Sequence, residues 1–353
     1  MIKLNLLEVN QPIGTFYIGV LNADVIERIT DVNRRTEGRG PQRELSKPKV
    51  KEIKEYCSDP DAAFPTPIII SLYDSEKYNF ENNELTIYGD EVIGEIIDGQ
   101  HRAKGISEAY NTDAFDLPVV FMFNLTEEEK AYVFSIINSK QTRVSMSLIY
   151  DLFSISKSRS PQKTCHEITR LLNTDKDSPF YRRLKMLGKK EGELSSLSQG
   201  SFIRYLIPLI SNHPDKDARE LKTNPNKKLN DNEDKPFRYY FINNQDENIY
   251  LILVNLFNAV KETFPEEWES PNKYILSKTT GYGAVLRAFP EIYKLGMKRK
   301  TLDFDFFLKC FEAFKAELNA QRKELTSEYF PSNEQEQKKL SNIIIQAIQK
   351  RKI

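Results

Sequence analysis

Asp98-Gly99-Gln100-His101-Arg102 puts an acid, a glycine, an amide, an imidazole and a guanidinium on consecutive residues. Each has a use at a charged ligand. Glycine lets the backbone approach a phosphate, arginine adds bidentate contacts, and an imidazole donates or transfers a proton. Asp98 could hold a metal-bound water, orient His101, or cap a helix. The chain has only three histidines, so one beside an arginine marks the first place to look for chemistry. There is also a plain structural reading, in which Asp-Gly is an ordinary turn, Asp98 is the N-cap, and the rest is a solvated first helical turn. The residues alone leave both open.

Two further groupings carry polar chemistry. Asn138-Ser139-Lys140-Gln141-Thr142-Arg143 could hydrogen-bond a nucleotide or a phosphate, or could be a capped turn between helices. From Arg34 to Lys54, eight basic residues (Arg34, Arg35, Arg39, Arg43, Lys47, Lys49, Lys51, Lys54) stand against Glu37, Glu44 and Glu52. Gly38 and Gly40-Pro41 make its first half a loop, which could close on phosphates, follow a DNA backbone, or form a solvated charged face. Arg182, Arg183, Lys185, Lys189 and Lys190 form a smaller basic cluster. Cys165-His166 lies within a helical pattern with no companion ligands in sequence, and no metal site is expected there. Gly281-Tyr282-Gly283 lacks the strand and spacing of a dinucleotide fingerprint and reads as a close helix start. No G-x-S-x-G and no Walker A sequence occurs.

The elements that must position these residues are a mixed α/β first part and a helical remainder. Strands are expected at Pro67–Leu72, Leu85–Tyr88, Gly94–Ile97 and Leu117–Phe123, with helices at Lys47–Cys57 and Gln100–Tyr110. The pentapeptide therefore joins a strand to a helix N-terminus, where unpaired amides and the helix dipole favour an anion. Pro65 and Pro67 suit a sheet edge or a strand's beginning. Thr126 and Glu129 form a capping box opening a helix through Ile137. Thereafter apolar residues recur at helical spacing, as at Ile168 and Leu172, Phe202 and Leu206, and in Ile249–Val260, Ala284–Leu295, Phe304–Leu318 and Leu340–Ile348. The polar stretch His213–Lys235 reads as a loop or insertion.

Composition bounds the class. The chain has 353 residues, 51 basic and 51 acidic, and a net charge of zero, so only a local patch could argue for nucleic acid. Three cysteines form neither an even set nor a metal spacing, the pattern of a reduced, cytoplasmic protein. No apolar run reaches the roughly 20 residues of a membrane helix, and no signal peptide is expected at the N-terminus.

Ile96 to Ala103 resembles the defining motif of the DGQHR-domain family, within the wider ParB/sulfiredoxin-like group. Gln42-Arg43, the helix after it, and Phe64 to Ile69 are similar to the block that precedes the motif. Phe134 to Asn138 with Gln141 is similar to the block that follows it. The resemblance covers about residues 10–155. It implies an α+β arrangement, with a ParB/sulfiredoxin-like domain at 1–155 and a mostly helical domain at 156–353. Family members accompany bacterial DNA modification, including DNA phosphorothioation and deazapurine insertion. Residue by residue, the resemblance implies Gly99, Gln100, His101 and Arg102 at nucleotide phosphates, with Arg43, Asn138 and Gln141 in the same pocket. It further implies ATP with Mg2+, DNA and other proteins of a modification or restriction system as partners, a homo-oligomer, and no membrane. Sulfiredoxin's cysteine is replaced by Gln100, which speaks against sulfinic-acid reduction, and ParB's Glu-Arg-Arg is missing, which puts CTP specificity in doubt.

Two functions follow from that resemblance. One is a nucleotide-binding accessory ATPase, with Asp98 and His101 positioning or activating water and Arg102 neutralising phosphate charge. The other is a non-enzymatic DNA-binding regulator, with Arg34, Arg35, Arg39, Arg182 and Arg183 as candidate DNA contacts. A ParB-like nuclease ranks last, because no dense carboxylate cluster is present.

Overall fold

The computed structural model describes residues 1–31, 45–140, 145–152, 158–186, 194–231 and 234–351. The chain divides into two units, Met1–Arg143 and Val144–Ile353. The first contains β1 (Ile2–Asn5), β2 (Leu7–Gln11), β3 (Gly14–Asn22), α1 (Ala23–Ile29), β4 (Thr30–Asp31) and α2 (Lys47–Tyr56). It continues with β5 (Ile68–Leu72), β6 (Tyr78–Glu81), β7 (Glu84–Ile87), β8 (Gly94–Asp98), α3 (Gln100–Ser107), β9 (Asp116–Phe123) and α4 (Glu127–Lys140).

Six strands form a mixed sheet in the order β2-β3-β9-β5-β8-β4, and β1-β7-β6 form a small antiparallel one. β5 runs parallel to β9 and antiparallel to β8, so the start of β5 and the end of β8 lie at one end of the sheet. β8 reaches that end through an irregularity. Ile69 faces Asp98 but Ile70 faces Ile96, which leaves Ile97 as an extra residue just before the turn. Prolines fall where the sheet asks no donor of them. Pro67 immediately precedes β5, and Pro118 faces Val20 one residue before β5 joins at Val119.

The sheet buries both faces. Ile26, Ile70, Ile96, Ala103, Ile106 and Phe121 belong to the larger core, beneath α1 and α3. Ile97, Met122 and Val133 form a smaller one beneath α4, joined by Phe16, Ile69, Val120, Phe134 and Ile137. The expected capping box holds: the Glu129 carboxylate accepts from the Thr126 N–H at 2.8 Å, and Thr126 Oγ1 accepts from the Glu129 N–H at 3.3 Å. α4 is also tied to the sheet by a buried ion pair, Lys130 to Glu95 of β8 at 2.5 Å.

The second unit contains α5 (Met146–Leu152), α6 (Pro161–Thr174), β10 (Leu184–Lys185), β11 (Leu197–Ser198), α7 (Gln199–Leu206), α8 (Pro214–Thr223) and α9 (Arg238–Ile242). It closes with α10 (Asp246–Thr263), α11 (Pro265–Glu269), α12 (Thr279–Arg299), α13 (Phe304–Ala320) and α14 (Glu334–Lys350). Phe180, Phe202, Phe257, Trp268 and Tyr282 pack ring against ring at its centre. Because α5 packs on α6 and α7, it lies in this unit, before the boundary expected after residue 155. Gly281 allows the close helix start: a Cβ there would stand 2.5 Å from Leu276 Cα.

The stretch 213–235 differs from expectation, because Pro214 to Thr223 is helical. Pro214 at the first helical position and Asp215 and Asp217 in the first turn favour a helix start despite the loop-like composition. Asp217 then pairs with Arg238, both fully buried, and Arg238 also donates to Asn230 O at 2.9 and 2.8 Å.

Candidate functional site

The turn between β8 and α3 depends on Gly99. Its φ of +97° is a backbone conformation that L side chains rarely adopt, and a Cβ there would stand 2.5 Å from Ile68 Cδ1. Gly99, rather than Asp98, is the N-cap of α3, and no side chain caps the helix. The first-turn amides of Gln100, His101 and Arg102 therefore have no acceptor within the helix, and its dipole adds partial positive charge. Gln100 is 8% exposed, and its Oε1 is buried without a hydrogen-bond partner among the described residues. An orphaned buried acceptor is uncommon and needs an explanation.

Asp98 and Arg102 face each other one helical turn apart. Arg102 Nη2 lies 3.1 Å from Asp98 Oδ2 and 3.1 Å from Pro67 O, while Nη1 donates to Thr66 O and Thr66 Oγ1. The guanidinium thus joins α3 to the chain entering β5, and Asp98 is its counter-ion. Both side chains are largely covered, at 20% and 27% exposed. Asp98 therefore does not cap the helix, and its Oδ2 is engaged by Arg102.

His101 points to a different element. Its Nε2 accepts from the Ser46 N–H at 3.0 Å, immediately before α2. An acceptor at Nε2 places the ring proton on Nδ1 in the neutral imidazole. Burial is the main reason its pKa falls below the ordinary value, and the charge of Lys49 adds to this, while Asp98 works the other way. The ring is held as a neutral acceptor.

The other expected site residues divide. Asn138 stands in the last turn of α4, one residue after Ile137, which packs against the small core that holds Ile97. Arg43, Gln141, Arg34, Arg35 and Arg39 lie outside the described residues. Arg182 is exposed, at a φ of +54°. Arg183 is not an available DNA contact: it is 8% exposed, donates to Trp268 O at 3.0 Å, and pairs with Glu269. Burial against Trp268 makes it structural. Among the described residues, no group of three His, Cys, Asp or Glu could hold a metal ion. Sequence reasoning did not single out Ser46 as a partner of His101, nor Glu95 with Lys130. An acid inside the otherwise apolar strand around Ile96-Ile97 was the available signal for the second.

The fold and site together define a mixed α/β domain with a strand–glycine–helix turn, followed by a largely helical part. Residues 5–173 match the DndB family, described as DNA-sulfur modification-associated, and over that stretch the chain is DndB-like. The match spans nearly all of the first unit and continues through most of α6. No curated protein matches the chain. Among solved structures, it is similar to the C-terminally truncated chromosome-partitioning protein ParB from Caulobacter crescentus, complexed with CTP-γ-S. That likeness has 10% identity and a TM-score of 0.29, over 59% of this chain and 87% of that one. Among the described residues, no helix is long and apolar enough to cross a membrane.

Proposed function

We propose that this protein is an accessory component of a DNA-sulfur modification system, and that its first unit binds a phosphorylated ligand at the start of α3, with ATP as the first candidate. The observation that carries the reading is the uncapped first turn of α3 beside a buried, partnerless Gln100 Oε1. A phosphate would accept from the amides of Gln100, His101 and Arg102. A hydroxyl or amino group on the same ligand would donate to Gln100 Oε1, relieving a cost of about 1–3 kcal/mol. Arg43, Asn138 and Gln141 join this pocket on the resemblance alone. The family match supports sulfur modification over deazapurine insertion.

On this reading the protein acts by binding. The residues first considered for hydrolysis have other tasks: Asp98 is the counter-ion of Arg102, and His101 accepts from Ser46. Arg102 shapes the turn rather than reaching for the phosphate. Mg2+ would arrive with ATP, whose phosphates supply its oxygen ligands.

The second reading, a non-enzymatic DNA-binding regulator, is favoured by Lys47, Lys49, Lys51 and Lys54, all exposed on α2. Titration of the full chain with ATP, by calorimetry and by phosphate release, separates the two. The nucleotide reading expects ATP to bind without turnover, and about tenfold more weakly in Gln100→Leu, as the loss of a buried hydrogen bond implies. If the wild type takes up no nucleotide yet retains duplex DNA with a steep salt dependence, the regulator reading replaces it.

A further inference from the structure

We infer that His101 is a positioning residue linking the candidate ligand site to α2, so that occupancy of the first turn of α3 and docking of α2 reinforce each other. This rests on the phosphate reading above and adds its regulation. α2 lacks a cap of its own. Ser46 is the N-cap, but its side chain makes no capping bond. Three residues on stands Lys49, where a capping box would carry Glu or Gln to accept from the N-cap amide. His101 supplies that acceptor from another helix, with Nε2 at 3.0 Å from the Ser46 nitrogen.

Two further contacts run along the same pair of helices. A Cβ on Gly105 of α3 would stand 2.6 Å from Ile53 Cγ2 and 3.0 Å from Val50 O, so the glycine sets how closely α2 approaches. Beyond α3, Asn111 Nδ2 donates to Cys57 O at 3.0 Å, where α2 ends. The rest of the hold on α2 lies at its C-terminal half, where Ile53 packs on the core, Tyr56 meets Phe64 edge-on and Cys57 is buried. Val50 is the single buried residue of the helix itself, and Lys47, Lys49, Lys51 and Lys54 face solvent. A helix with so narrow an apolar stripe depends on its neighbour for order.

His101 lies between Gln100 and Arg102 in the turn whose amides would hold the phosphate, so a change in that turn reaches Ser46 through one hydrogen bond. A ligand that fixes the turn pre-orders α2, and ordering α2 favours the ligand by the same factor. The lysines of α2 are what the ligand would present to a polyanion.

Hydrogen exchange on the full chain, with ATP as the probe, tests the linkage in wild type, His101→Ala and His101→Gln. In wild type, ATP should slow exchange across residues 46–52 as well as in the first turn of α3. His101→Ala should speed exchange at 46–52 about tenfold, as expected for one lost hydrogen bond. At saturating ATP it should lose the α2 response and keep that of α3. His101→Gln, whose carbonyl can accept, should recover both effects. ATP that binds wild type without slowing α2 overturns the linkage and leaves the phosphate reading standing. Wild type that takes up no ATP overturns both. Loss of ATP binding in His101→Ala, with α2 exchange unchanged, overturns the positioning role and makes His101 a ligand contact.

Discussion

Replacing Gly99 by Ala tests whether the turn before α3 is built as described. At φ +97° an L residue is strained by about 1–2 kcal/mol, the usual cost of the left-handed region. The new Cβ would also stand 2.5 Å from Ile68 Cδ1. That atom is the far end of a flexible side chain, so Ile68 would rotate away at about 0.5–1.5 kcal/mol. Together these predict a loss of about 1.5–3.5 kcal/mol from the first unit. Gly89→Ala is the matched control. Its φ is +92°, but no heavy atom lies within 4 Å of a Cβ there, so only the backbone part applies, about 1–2 kcal/mol. Both variants share the unfolded-chain entropy of Gly→Ala, which cancels in the comparison. Because two units need not unfold together, stability should be read by urea-dependent exchange of peptides from β5, β8 and α3. If Gly99→Ala costs no more than Gly89→Ala, the crowding argument is wrong. If both fall within 0.5 kcal/mol of wild type, so is the backbone argument.

Three other outcomes are expected. Lys130→Met leaves Glu95 buried and uncompensated and should cost about 3–5 kcal/mol, much of which Glu95→Gln in the same chain should restore; additive losses in chemical denaturation would count against a coupled pair. Burial chiefly lowers the pKa of His166, which is fully enclosed with Nδ1 2.8 Å from Gln199 Nε2. The unfolded imidazole takes its proton near the ordinary 6.5 and the folded one resists, so stability of the second unit is complete above that pH and declines below it. Melting curves from pH 7.5 to 5 should show that decline in wild type and a flatter profile in His166→Gln; identical profiles would refute it. Arg183→Ala should lower the melting temperature clearly while Arg182→Ala hardly changes it, since only Arg183 is buried against Trp268 and Glu269.

Much of the site was legible locally. Asp98-Gly99 between apolar β8 and α3 required a turn that only glycine makes comfortably, and the structure places Gly99 there at positive φ. Thr126 and Glu129 announced α4 because a capping box involves only neighbouring residues. The strands β5, β7, β8 and β9 appeared within a residue or two of their observed ends, being short apolar runs bounded by turn residues. The first thirty residues were less readable. β1, β2 and β3 alternate weakly, and β3 lies between β2 and β9 only because the sheet's pairing puts it there. α8 was hidden by a composition shared with loops, and its burial comes from Arg238, twenty-one residues on from Asp217.

The sequence by itself determined that a strand, a glycine turn and a helix meet at Asp98 to Arg102, and that helices dominate after residue 126. Those are matters of backbone preference and periodicity, which act over a few residues. Tertiary structure alone decided what each side chain of the motif does. Arg102 turns to Thr66, Pro67 and Asp98, His101 to Ser46, and Gln100 keeps a buried oxygen without a partner. Apart from Asp98, the partners come from segments 35 to 55 residues away or, for Gln100, from no described residue at all. A side chain's role follows from the donors, acceptors and charges that folding brings against it, and no local pattern encodes these.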